Sequence, residues 1–200
     1  MFPLALLNKS EQGLTTVLNL EFNGADGSTI IDSTGRHTPS LSASGTRAIL
    51  DNQLNLASSG FIRADAQSTA SSDFDFSSSD FEIECKVTYT AGSYVWVHTA
   101  SDNGLGLLLR FASANIIEVR SALNQLIMQY TAPTSFVGRQ AKINVSLTGT
   151  RYSLKVDDIE VVATSSVYPV IGSNGFIIGA HPETNGMTGL IDYFIVKRKF

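Results

Sequence analysis

The feature of this chain that most constrains its fold is a period-two alternation of apolar and polar side chains in its last quarter. Residues 139–148 read RQAKINVSLT, and residues 151–162 read RYSLKVDDIEVV. Such alternation is typical of an antiparallel strand that buries one face and exposes the other. Two further apolar runs, NGFIIGA and MTGLIDYFIVKR, follow after segments rich in glycine, asparagine, threonine and serine. These four runs predict strands joined by turns, with no helix among them.

The pattern continues through the rest of the chain, where short apolar runs and turn signals alternate. We count about fourteen strand candidates and no convincing long helix, which is typical of an all-β sandwich or barrel. The segment at residues 65–80 is rich in serine, aspartate and alanine, and we predict a loop there with a helical turn. Phe74 and Phe76 are expected to pin this loop to the core. The length of 200 residues suits one domain, which we place at residues 14–200 behind an arm at residues 1–13.

Composition and charge argue against several function classes. The 14 basic residues are scattered and outnumbered by 18 acidic ones, so neither nucleic acid nor a membrane surface is an expected partner. Cys85 is the only cysteine, so no intramolecular disulfide can form. Its place among alternating apolar residues predicts a buried, unreactive thiol. The apolar stretch at residues 2–7 lacks the basic flank and the cleavage site of a signal peptide, which predicts synthesis in a host cytoplasm without export.

Four sequence motifs occur in the order found in a known group of proteins: LEFNGADGSTIIDSTGRH, SSDFEIECKV, INVSLTGTRYSLKVDDIEVV, and FIIGA followed by MTGLIDYFIVKR. Together they resemble the laminin-G-like domains of the concanavalin A-like lectin and glucanase superfamily. The resemblance implies an all-β, antiparallel two-sheet β-sandwich, a jelly roll, over residues 14–200. In two places the chain departs from the pattern. Phe136 replaces the usual tryptophan before the third motif, and Asp157-Asp158 replaces the usual Asp-Gly turn. Both substitutes suit a core or a turn role.

The sequence predicts a protein that is not an enzyme. Some proteins that this chain resembles are laminarinase-type glycoside hydrolases with E-x-D-x-x-E on one strand, a spacing that puts the acid and the nucleophile on the same face. Glu82 and Glu84 share a face here, but the third acid and the intervening aspartate are missing, so we interpret both as solvated surface residues. The three histidines have no metal-ligand spacing to one another or to Cys85.

A structural calcium ion is the one cofactor that the resemblance implies, through oxygen ligands near the first and last strands. Asn23, Asp26, Asp32 and Asp192 stand in matching places. Calcium needs about six to eight oxygen ligands, several of them main-chain carbonyls that a sequence does not reveal. Asn and Asp also commonly stabilise turns. We favour this turn interpretation for Asn23 and Asp26, with Asp192 bonded to a loop.

The segment YVWVH offers the best candidate for a glycan site. With Val95 and Val97 facing the core, Tyr94, Trp96 and His98 would project outward together, and aromatic rings stack on sugar faces. The reverse orientation would bury Trp96, as is usual for tryptophan. A third interpretation makes this row a contact between subunits.

The main functional hypothesis is a structural or adhesion component of a virus particle, such as a bacteriophage capsid decoration, fibre or tail protein. Its expected location is the virion, and its expected partners are other virion proteins and further copies of itself. The missing export signal, the single domain and the apolar arm favour it. Phe2, Leu4, Leu6 and Leu7 of that arm would dock on a neighbour, because they fit no strand of the sandwich. The alternative is a carbohydrate-binding module whose partner is a glycan. A glycosidase is the least favoured hypothesis.

Overall fold

The computed structural model describes residues 13–22, 30–41, 46–57, 61–64, 71–76, 79–99, 106–121, 125–164, 175–179 and 186–200. These residues form strands and one short 3-10 turn at Ser72–Phe74, with no α-helix among them. No helix in these ranges is long and apolar enough to cross a membrane. The all-β class predicted from the sequence is therefore confirmed. The arm residues Phe2, Leu4, Leu6 and Leu7 lie outside the described residues, so their docking role stays a prediction.

Nine strands form the larger sheet. Seven of them lie side by side in the order β14, β13, β12, β7, β16, β1, β2, and β5 joins β16 with β4 attached to it. Their bounds are β1 Thr15–Glu21, β2 Ile31–Asp32, β4 Thr46–Leu50, β5 Gln53–Ala57, β7 Phe81–Ala91, β12 Gln140–Thr148, β13 Arg151–Val156, β14 Ile159–Thr164 and β16 Thr188–Arg198.

Seven strands form the smaller sheet, in the order β11, β10, β9, β8, β15, β6, β3. Their bounds are β3 Ser40–Leu41, β6 Ile62–Arg63, β8 Tyr94–Thr99, β9 Leu107–Ser113, β10 Ile116–Ser121, β11 Leu126–Thr131 and β15 Gly175–Ile178. The strand pairs of both sheets are antiparallel. Two of these strands, β3 and β6, are only two residues long.

The core lies between the two sheets, where each strand turns its apolar face inward. β7 shows this most clearly, because its residues alternate between buried and half-buried from Phe81 to Tyr89. Phe74 and Phe76 are both buried in this core, which confirms that they pin their loop. Phe136 is fully buried as well, so it fills the core position expected for the missing tryptophan. Asp157 adopts a left-handed φ of 54° at the turn between β13 and β14, in keeping with its predicted turn role.

Candidate functional site

Asp32 organises a turn through hydrogen bonds that occupy both carboxylate oxygens. Oδ1 accepts hydrogen bonds from the main-chain N–H of Asn19 at 2.9 Å and from the main-chain N–H of Thr34 at 3.1 Å. Oδ2 accepts from Thr34 Oγ1 at 2.6 Å and the His37 amide at 3.0 Å. Burial by itself would raise the pKa of Asp32, but these hydrogen bonds outweigh it and lower the pKa. The carboxylate therefore acts as an anionic anchor for the segment that follows β2, as expected of an aspartate at a turn.

Asp192 is also bonded within the protein, but its partners belong to the strands β5, β7 and β12, so the prediction that it bonds to a loop is wrong. Its carboxylate accepts hydrogen bonds from Gln53 Nε2 and from Gln140 Nε2, the latter at 2.9 Å, and it pairs with Lys86 Nζ at 2.9 Å. Among the described residues no three His, Cys, Asp or Glu side chains are grouped so as to hold a metal ion. Asn23 and Asp26 lie outside those residues. Asp32 stabilises a turn in this structure, whereas the turn interpretation of Asn23 and Asp26 and a calcium site that includes them both stay predictions.

Strand β8 does not project Tyr94, Trp96 and His98 outward together, as one interpretation of the sequence required. A register shift separates Tyr94, which pairs with Arg110 of β9, from Trp96, which pairs with Leu109. This β-bulge turns Trp96 and His98 into the interior, where both are fully buried. The arrangement with Trp96 outside is therefore wrong, and the alternative with Trp96 buried holds. Tyr94 alone of the three remains half-exposed.

On the outer face of the smaller sheet, an arginine–glutamate cluster lies beside Tyr94; it consists of Arg110, Glu118 and Arg120. Glu118 stands opposite Arg110 across the β9–β10 pair. Its Oε2 accepts a hydrogen bond from Arg110 Nε at 2.9 Å and another from Arg120 Nε at 2.6 Å. Arg110 makes no hydrogen bond through its two Nη groups within the described residues, so they remain as donors beside Tyr94.

The cluster is largely shielded from water. Glu118 is only 6% exposed, although it faces away from the sandwich core. The hydrogen bond from Arg120 lowers the pKa of Glu118 most, against the opposing effect of burial, and Arg110 lowers it further. The same hydrogen bond raises the pKa of Arg120. Glu118 and Arg120 are therefore charged at neutral pH, and the hydrogen bonds to Glu118 hold the three side chains in place, since charge-assisted hydrogen bonds of this kind are among the stronger ones.

The surface beside the cluster is also sheltered. Val97, Leu108 and Ile177 form a cross-strand row on the outer face, yet they are only 5%, 5% and 1% exposed. Gln129 of β11 stands opposite Glu118 on the other side of β10. The candidate site is thus confined to the fixed polar groups of the cluster and to Tyr94, because side chains this little exposed are already covered by other atoms of the protein and offer no wall to a ligand.

The geometry of this face suits binding better than acid–base catalysis. Glycoside hydrolysis requires two carboxyl groups on either side of the bond that is cut. Glu118 is the only acidic side chain on the described strands of the smaller sheet, and it is committed to two arginines. Glu82 and Glu84 lie on the outer face of the other sheet. There they pair with Lys197 at 2.6 Å and with Lys142 at 3.0 Å, so they are ion-paired rather than simply solvated.

Sequence reasoning missed the arginine–glutamate cluster. The two-residue turn at 114–115 pairs Ser113 with Ile116, a register that would place Arg110 opposite Val119. A β-bulge before Ile117 shifts the register by one residue and brings Glu118 opposite Arg110, so the turn alone does not predict this pair. The contact of Arg120 with Glu118 depends on side-chain conformation within one strand.

Known structures share this fold at low sequence identity. Domain 4 of AbnA, a GH43 extracellular arabinanase from Geobacillus stearothermophilus solved in complex with arabinotriose, is 15% identical with a TM-score of 0.65, and the match covers 93% of each chain. The carbohydrate-binding module CBM66 from Bacillus subtilis is 19% identical with a TM-score of 0.50, over 82% of this chain and 96% of that module.

A third likeness is to a structure of botulinum neurotoxin type C whose cell entry depends on interaction with two ganglioside molecules. It is 11% identical with a TM-score of 0.62, and the match covers 91% of this chain but 47% of the toxin chain, so this protein spans about half its length. The sequence matches no known family and no curated protein. At these identities the likenesses show the fold alone: an antiparallel two-sheet β-sandwich, in agreement with the predicted fold class.

Proposed function

We propose that this protein is a non-catalytic carbohydrate-binding domain that holds a glycan on the outer face of its smaller sheet. The observation that carries the proposal is the arginine–glutamate cluster beside Tyr94, at a sheltered place on a surface that contributes nothing to the sandwich core. The arabinanase domain and CBM66 lend support, because one is solved with arabinotriose and the other is named a carbohydrate-binding module.

The chemistry of the cluster matches the chemistry of sugars. A sugar ring presents hydroxyl groups at its edge and C–H groups on its faces. The Nη groups of Arg110 can donate to hydroxyl oxygens, and the ring of Tyr94 can pack against a sugar face. The ion pairs with Glu118 fix the guanidinium groups in advance, which reduces the entropy lost when a ligand binds.

The absence of catalysis is part of the proposal. The lone carboxylate of the cluster has no second acid beside it on the described strands of that sheet, and its lowered pKa makes it a poor proton donor. The role in a virus particle stays a prediction from the sequence. None of the three structural likenesses reported above is named as a virion protein, and a glycan-binding domain would also be compatible with adhesion.

The proposal is tested by exposing the full 200-residue chain to a printed array of neutral and carboxylated oligosaccharides, followed by calorimetric titration of those retained. Arg110→Gln should weaken binding about 10- to 100-fold, as expected for one charged hydrogen-bonding group. Tyr94→Ala should weaken it as well. Arg151→Gln removes an exposed arginine from the other sheet and should leave binding unchanged. Retention of no oligosaccharide, or equal binding by all these variants, would overturn the proposal.

A further inference from the structure

The larger sheet contains a break that opens a cavity on its outer face. Strand β16 pairs with β7 along one side, but its other side is shared by two strands. β5 pairs with residues 189–191, and β1 pairs from Tyr193 onward. The end of β1 at Glu21 and the start of β5 at Gln53 therefore meet beside Asp192, which neither strand pairs with. Asp192 has no partner in β7 either, because the register of the β16–β7 pair shifts between Ile191 and Tyr193.

The resulting cavity, which we call the fork pocket, has a volume of about 430 Å³. This lies within the range of roughly 300–1,000 Å³ that is usual for small-molecule sites. Its lining residues come from the end of β1, the β4–β5 turn and the middle of β16: Glu21, Asp51, Asn52, Gln53, Asp192, Tyr193 and Ile195. A break in strand pairing thus yields a polar pocket with two less polar walls, Tyr193 and Ile195.

Three of the side chains that line the fork pocket, Gln53, Asp192 and Tyr193, are held by hydrogen bonds or an ion pair. The carboxylate of Asp192 accepts hydrogen bonds from Gln53 and Gln140 and forms an ion pair with Lys86. Tyr193 donates its hydroxyl hydrogen to Glu84 Oε1 at 2.9 Å. Asn52 has a left-handed φ of 60°, which places its side chain in a tight turn at the rim. Groups held in this way need little rearrangement to receive a ligand.

We propose that the fork pocket is a second binding site that takes one neutral, hydroxyl-rich sugar ring, independently of the site on the smaller sheet. Carboxylate and amide groups accept and donate the hydrogen bonds that neighbouring hydroxyl groups offer, and Tyr193 with Ile195 can cover the C–H face of the ring. Three carboxylates line the pocket, and a carboxylate accepts hydrogen bonds but donates none. A carboxylate on the sugar would bring a further acceptor where hydrogen-bond donors are wanted, so an anionic sugar is disfavoured.

The test follows the amide resonances of the isotope-labelled full chain by NMR during titration with D-glucose, D-galactose or L-arabinose, and with D-glucuronate as the anionic counterpart. At least one neutral sugar should shift the resonances of Asn52, Gln53 and Tyr193 with millimolar affinity, whereas glucuronate should not. Asn52→Gly keeps the left-handed turn but removes the amide, and it should weaken binding several-fold. Tyr193→Phe keeps the ring and should retain most of the binding, whereas Tyr193→Leu should lose it.

Arg110→Gln separates this proposal from the proposed function, because it should leave the fork-pocket shifts unchanged. The second site is wrong if no neutral sugar shifts those resonances, if glucuronate binds as tightly, or if Asn52→Gly and Tyr193→Leu both bind like the parent chain. Neutral-sugar shifts confined to Arg110 and Glu118 would likewise contradict the fork pocket while supporting the site on the smaller sheet.

Discussion

His98 donates a hydrogen bond from Nε2 to the main-chain carbonyl oxygen of Phe74, at 2.8 Å. The Phe76 ring lies 5.0 Å from the same imidazole. Together these contacts tie strand β8 to the loop that crosses the sandwich at residues 71–76. Burial lowers the pKa of His98 to about 4, although the hydrogen bond to Phe74 and the nearby Asp75 favour the charged form. The buried imidazole is therefore neutral over most of the pH range in which the protein would be handled.

We expect His98 to make folding sensitive to mild acid. A histidine whose pKa is lower in the folded state binds more protons when the chain is unfolded. Its contribution to stability is therefore fully present above the unfolded pKa, and it is lost as the pH decreases toward the folded pKa. Between about pH 6.5 and 4 the free energy of unfolding should fall by about 2–3 kcal/mol on this account. Urea denaturation at several pH values measures the slope. His98→Gln should be less stable at neutral pH but should flatten that slope, and an unchanged slope would assign it to other groups.

Glu118→Gln should destabilise the protein as well as weaken glycan binding. The change leaves two sheltered guanidinium groups without their shared anion, which should cost about 1–3 kcal/mol. The lowered pKa of Glu118 means that its contribution is present at neutral pH and is lost as pH falls below the usual range for a carboxyl group. Guanidinium denaturation at neutral pH is the measurement. Glu160→Gln, on the exposed edge strand β14, is the matched control and should change little.

Cys85 should be inert in the folded protein. Its side chain is fully buried, and burial raises the pKa of the thiol well above its usual range, with a further small rise from Glu84. A thiol reagent such as dithionitrobenzoate reacts with the thiolate, so native protein should show no fast labelling. One thiol per chain should react after denaturation. Rapid labelling of the native protein would show that β7 opens more readily than its central place in the sheet implies.

A chelator should not lower the melting temperature if Asp32 serves only its turn. An ion bound only by the folded state would stabilise it, and its removal would be visible as a shift restored by calcium. Asp32→Ala should lower stability by about 1–3 kcal/mol in both the presence and the absence of chelator, because buried donors lose their acceptor. A chelator-dependent shift that Asp32→Ala abolishes would instead establish the calcium site.

The sequence predicted the strands best where one face is apolar and the other polar. In β7, β12 and β13 the alternation alone indicates which side chains are buried. In β8 nearly every side chain is large or apolar, so the alternation does not identify the inner face. The bulge between Tyr94 and Trp96 then places these two side chains on opposite faces of the sheet, and no local sequence signal marks the bulge.

The two candidate sites show a second limit of prediction from the sequence. The arginine–glutamate cluster depends on the register between β9 and β10, which a β-bulge shifts by one residue from the register that the turn alone implies. The fork pocket depends on which strands share the edge of β16. Glu21, Gln53 and Asp192 are far apart in sequence, and their proximity follows from the packing of the whole sheet. Long-range pairing of this kind is not encoded in local propensity.

The central position of β16 has a consequence for the order in which the sheet can assemble. β16 lies between β7 and β1, and its pairing brings Thr15 beside Arg198, across nearly the whole chain. Pairings between such distant residues make folding slow, in the range of about milliseconds to seconds for all-β domains. Until β16 arrives, β7 and β1 would each have an open edge that another chain can occupy. Refolding at high protein concentration is therefore expected to lose material to aggregation before this last strand closes the sheet.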